Sequence, residues 1–202
     1  MGGPDGEGDG TPPGPLLSRV EVVTPGGPAA VARDGHRWGP VDGPAVGGLD
    51  DALRAALPEP ADAALAAVHA ALAGDGGQAA FRRALVVRRA EPGEARFHLS
   101  ARRNRDSIAA HGLDWRRMRP PGIAGSTGPE AHGIFLCDED GVGFFRMVSD
   151  EDPDVWRVEV GGLWLHSDAS SSTGLDDAWA ISARPIAAGR LTLCGDAPIR
   201  SA

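Results

Sequence analysis

Apolar and polar positions alternate at 16–23 (LLSRVEVV), 96–100 (RFHLS), 155–160 (VWRVEV) and 189–194 (GRLTLC). Successive strand side chains point to opposite faces, so each stretch predicts a strand. The apolar runs at 133–138 (GIFLCD) and 177–186 (DAWAISARPI) predict two more. Asp34-Gly35, set between short runs in 29–41, predicts a hairpin. A helix is predicted over 49–57, with acidic residues at its start where the helix dipole favours them. A second follows over 61–73, with Leu65, Val68, His69 and Leu72 on one stripe and His69 at the core edge. Residues 78–89 read as helix or strand, with Leu85-Val86-Val87 favouring a strand at the end.

The helix predicted over 105–111 takes Asn104 as N-cap and Gly112 as the residue after its end. A short helix at 139–149 turns Val142, Phe145 and Met147 inward. Gly-rich and polar stretches at 119–132 and 168–174 read as loops, and the Gly/Pro/acidic residues 1–15 as a mobile tail. From residue 96 the order is strand, helix, loop, strand, helix, then three strands. That is α+β and not the regular alternation of a doubly wound sheet.

Four segments in 96–194 carry a family resemblance. They are FHLS…NRDSIAAHGL, GIFLCDEDGVGFF, VWRVEVGGLWLHSD and ISARPIAAGRLTL. Their order and spacing resemble the ADP-ribosyltransferase-like superfamily, in its histidine-bearing branch of RNA 2′-phosphotransferases and DNA-modifying toxin relatives. The resemblance implies a split β-sheet core with short helices over 91–202, preceded by a helical/β segment at 16–90. It implies NAD as substrate, with His98 on the ribose, Ser100 supporting it, and Phe135 stacking on the nicotinamide. Arg102, Arg103 and Arg105 are then candidates for the pyrophosphate, since forked guanidinium bonds suit it. The family's carboxylate, which stabilises an oxocarbenium-like ribosyl cation, falls near Ala178 or Trp179. The nearest acids are Asp176 and Asp177, and Asp177 serves if the strand register slips or a bulge re-aims it.

Composition changes this picture in three ways. The chain has 202 residues and a net charge of -8, a poor balance for general binding of nucleic acid or anionic membrane. Every basic residue is arginine, so arginine count alone says little. The charge is uneven, though: seven arginines and two aspartates lie in 96–119, and nine acids against two arginines in 130–159. Either the two segments face each other or solvent, or the first is a basic lip near a phosphate.

Cys137 and Cys194 lack metal-ligand spacing and read as buried free thiols. His98, His111, His132 and His166 also match no ligand-pair spacing, so no metal is expected. No signal peptide or apolar span is visible, and a cytoplasmic protein is expected. Three functions stand open. The first is NAD-dependent ADP-ribosyl transfer to a protein or nucleic-acid acceptor. The second is a noncatalytic nucleotide-binding or interaction module that keeps the fold without the catalytic Glu. The third is a structural or immunity-type partner dominated by the N-terminal helices.

Overall fold

The computed structural model describes residues 17–57, 61–75, 82–118, 131–149, 151–168 and 178–195. The predicted tail at 1–15, most of the loops at 119–132 and 168–174, and Asp176 and Asp177 lie outside them. In chain order the strands are β1 Arg19–Thr24, β2 Gly27–Asp34, β3 Arg37–Pro40, β4 Ala84–Arg89 and β5 Ala95–Ser100. Next come β6 Ile134–Cys137, β7 Asp154–Glu159, β8 Trp164–His166, β9 Trp179–Ser182 and β10 Leu191–Cys194. The helices are α1 Leu49–Ala56, α2 Asp62–Gly74, α3 Arg105–His111 and α4 Glu139–Val148.

The class is α+β, built on one ten-stranded mixed sheet in the order β10-β7-β5-β6-β9-β8-β4-β1-β2-β3. β1 and β4 run parallel, because α1 and α2 carry the chain over one face between them. Val20, Val22, Leu85 and Val87 line that face at no more than 1% exposure, and Leu53, Leu65 and Val68 close over them. Each such buried side chain contributes about 1.5–3 kcal/mol.

A corner links this half to the other. β4 runs into β5, and β7 into β8, through two short turns lying side by side. Ala90 N–H donates to the Leu163 carbonyl, Gly162 N–H to Ala90, and Val160 N–H to Glu94. β6 and β9 pair with each other over four positions and fill the wedge beside the corner. They join their outer neighbours sparingly: β6 meets β5 at Phe97↔Cys137 alone, and β9 meets β8 at His166↔Ile181 alone.

Pairing is unbroken across position 90/91, since β4 bonds β8, yet the cores divide there. One cluster is built almost wholly from 17–87. The other two, built from 90–194, lie on opposite faces of the second half. One holds Ile108, Leu136, Trp156 and Val158; the other holds Phe97, Leu99, Cys137, Val142 and Val155.

Four local expectations change, and one, at Gly112, holds. His69 is exposed and its Nε2 lies 3.1 Å from Asp50 Oδ2, because the buried stripe of α2 is Ala64, Leu65, Val68 and Ala71. Asn104 precedes α3 but makes no capping bond: a 3-10 turn at Arg102–Asn104 runs straight into the helix and leaves Asn104 helical. Gly112 ends α3 as expected, at φ 78, where a Cβ would overlap the Ile186 carbonyl oxygen. Met147 is 77% exposed, so α4 buries Val142 and half-buries Phe145 instead. Cys137 is buried, but Cys194 on the edge strand β10 is half-exposed.

Candidate functional site

Alternation along β5 divides its side chains. Phe97 and Leu99 enter the core beneath α4, so Arg96, His98 and Ser100 take the opposite face. β5 and β6 part just after Phe97↔Cys137. At the parting the His98 imidazole, rather than a β5 amide, bonds the Phe135 carbonyl, with Nδ1 at 2.9 Å. A carbonyl only accepts, so Nδ1 carries the proton. Burial lowers the His98 pKa, and the Phe135 carbonyl only partly offsets this. The ring is therefore neutral near pH 7, with Nε2 as an acceptor. His98 stays partly exposed, and among the described residues Nε2 makes no hydrogen bond.

Phe135 meets His98 through its backbone. Its side chain shares a face with Cys137, two residues on, which places it across the sheet from the imidazole. Trp156 lies on the His98 side, directly across from it in the β5–β7 ladder. Ser100 pairs with Asp154 one step further along the same face. Ser100 is buried, with Oγ donating to the Ala101 carbonyl at 3.2 Å.

The Asp154 carboxylate is 4% exposed and takes both arms of Arg105, Nε at 2.9 Å and a terminal nitrogen at 2.5 Å. That bond holds the carboxyl below its ordinary range against the opposing effect of burial. Arg102 grips Asp152 through its side chain at 2.6 Å and its carbonyl at 3.1 Å. Arg103 is exposed in the 3-10 turn. The basic segment thus faces the acidic one, and Arg102 and Arg105 meet carboxylates in this structure. Asp177 lies outside the described residues. Trp179, which with Ala178 is where the resemblance would put a carboxylate, packs edge-on against Phe144 and Phe145 on the α4 side.

Trp156 and Asp154 went unmarked in the sequence. Their own strand is plain from alternation, but which β5 residue each faces is a matter of register, and VWRVEV carries no signal for it. Among the described residues no group of three or more His, Cys, Asp or Glu could hold a metal ion. No described helix is long and apolar enough to cross a membrane. Cys137 is a poor nucleophile: burial foremost, then Asp138, push its pKa up to about 12. A separate open cavity of about 630 Å³ lies at the corner, lined by Arg88, Glu94, Arg96, Phe97, Asp138 and Arg157 among others, without His98.

No protein-family model matches the chain, and neither a curated protein nor a solved structure does.

Proposed function

We propose that the His98 face binds the ribose of NAD, and that the chain is an ADP-ribosyltransferase-like protein acting on a protein or nucleic-acid acceptor. One observation carries the reading. A neutral imidazole, fixed by the Phe135 carbonyl, belongs to a partly exposed residue where two strands part, and its acceptor nitrogen makes no hydrogen bond among the described residues. That is the histidine position the sequence resemblance assigns to the sugar, in a sheet whose strands β5 and β6 separate after one pair. In the transfer, the bond from the ribose C1′ to nicotinamide breaks and nicotinamide leaves neutral. The acceptor's lone pair forms the new bond to C1′, and its proton passes to a base or to solvent. A carboxylate is needed beside the developing cation, and Asp177 is the candidate.

A second reading is a noncatalytic nucleotide-binding module. It is favoured by Asp154, the buried carboxylate on the His98 face, being held by Arg105 rather than facing a ligand unpaired. Nicotinamide release from NAD separates the two. Release that is lost in His98→Ala and in Asp177→Asn supports transfer. NAD binding without release supports the module. No binding by the folded wild-type chain rejects both.

A further inference from the structure

We infer that the open cavity at the corner is a binding site for a small molecule carrying a carboxylate and an ammonium joined by a short aliphatic stem. The cavity does not include His98 and stands independently of the reading proposed above. Its volume of about 630 Å³ suits a small ligand. Among the described residues, four arginines and four acids line it, so the lining favours neither a simple anion nor a simple cation.

The register of β5 sets the two signs on different sides. Arg157 of β7 lies across from Phe97 on one side, and Cys137 of β6 lies across from it on the other. Two strand spacings put the Arg157 and Cys137 backbones about 10 Å apart. Past Cys137 the chain enters α4 through Asp138 and Glu139, which bring two carboxylates to that side. Asp138 is fixed there as the cap of α4, accepting from the Gly141 N–H at 2.9 Å. On the β7 side stand Arg157 and Arg89. Arg89 donates to the Gly162 carbonyl at 3.3 Å, in the turn after β7, and Arg157 reaches the exposed Glu159 at 3.5 Å, a pair worth little in water. Such guanidiniums suit a carboxylate. The acid nearest them is already spent. Glu94 takes both terminal nitrogens of Arg88, at 2.8 and 2.6 Å, and Arg96 Nε at 3.0 Å, and this trio keeps one net positive charge. Glu91, the last acid, is exposed in the turn before β5. Phe97 lies between the two sides, with Ala95 on the same face of β5, and offers methylene groups an apolar floor. A phosphate would meet Asp138 and Glu139 as well as the arginines, and a diamine would meet the arginines as well as the acids. A ligand with opposite charges at its two ends answers both sides.

Isothermal titration of the full chain with ω-amino acids of two, four, six and eight carbons tests this. The four- or six-carbon member should bind tightest. Hexylamine lacks the carboxylate and hexanoate lacks the ammonium, and each should bind about ten-fold or more weakly than 6-aminohexanoate, the range of one charged hydrogen bond. Arg157→Gln should weaken 6-aminohexanoate and leave hexylamine unchanged, whereas Glu139→Gln should weaken it and leave hexanoate unchanged. Nα-acetyl-lysine presents the same two charges, and its binding as tightly would assign the site to the C-terminus of a peptide; binding of the free ω-amino acid alone would assign it to a metabolite. No binding of any member at millimolar concentration overturns the inference. So does an affinity indifferent to either charged end or to chain length, or tighter binding of inorganic phosphate. These outcomes are read on the wild-type chain and do not depend on the folding of a variant.

Discussion

Arg82 and Asp75 form an ion pair from which water is excluded: their side chains are 1% and 2% exposed, with Nε 2.5 Å from Oδ2. Arg82 also donates to the carbonyls of Ala84 and Ser167, so one guanidinium ties the end of α2 to the start of β4 and the end of β8. Removing one partner strands the other charge in the interior. Asp75→Ala should lose about 3–5 kcal/mol in urea unfolding. Asp75→Leu combined with Arg82→Met should recover much of that loss, because no lone charge remains. A double variant as unstable as the single one would show that the bonds to Ser167 and Ala84, not the ion pair, hold the junction.

Acid should weaken the fold through two histidines. His166 lies beside this pair and its pKa falls from 6.5 to about 4. Burial is the main cause, Arg82 adds to it, and the Ser167 carbonyl, Asp75 and Asp168 oppose it. Its folded pKa is depressed, so the unfolded chain binds the extra proton. Stability is full above pH 6.5 and is lost as pH falls toward 4, by about 3 kcal/mol in all. His98 acts in the same direction. Glu94 adds a separate loss at lower pH. Its pKa is held at about 2, first by the Arg88 bond, so its share is present above 4.5 and declines below it. Unfolding free energies measured from pH 7 to 4 should fall in wild type and fall less in His166→Leu.

The sequence showed most elements, because strand alternation and helix stripes are local. It also placed His98 opposite Phe97 and Leu99, which is the part of the site that β5 alone decides. The rest of the site is non-local. Trp156 and Asp154 reach His98 and Ser100 through the β5–β7 register. The facing of Phe135 depends on β6 meeting β5 at Cys137. Met147 turns outward because α4 lies over β5 and β6 with Val142 against the sheet, and Met147 sits on the side of the helix away from it. The arginines of 102–105 were visible as charge, but not the aspartates that meet them from some fifty positions away.

Two glycines in α4 should respond in opposite ways to alanine. At Gly141 a Cβ would sit 2.6 Å from the Cys137 Cβ, while at Gly143 nothing lies within 4 Å. Gly143→Ala therefore gains helix propensity without a clash and should stabilise by about 0.5–1 kcal/mol. Gly141→Ala must push α4 off β6 and should cost about 1–3 kcal/mol. Thermal unfolding of the two variants gives the signs directly. A stabilising Gly141→Ala would mean that α4 does not press on Cys137.

The Arg105–Asp154 pair bears on ligand binding as well as on folding. Asp154 is almost wholly buried while Arg105 keeps 47% of its side chain exposed. The arginine therefore reaches solvent carrying a charge that the carboxylate largely cancels. Asp154→Asn keeps the side chain's shape and removes the cancelling charge. If Arg105 lies beside the pyrophosphate of NAD, as the family resemblance implies, this substitution leaves its guanidinium to the phosphate. NAD should then bind about three- to ten-fold more tightly at low salt, and the gain should shrink as salt rises. Arg105→Ala in the same background should abolish the gain, which ties the effect to this guanidinium rather than to net charge. Titration calorimetry of the three proteins against NAD checks it. An unchanged or weaker affinity in Asp154→Asn would place the pyrophosphate elsewhere and leave Arg105 as a strut for β7.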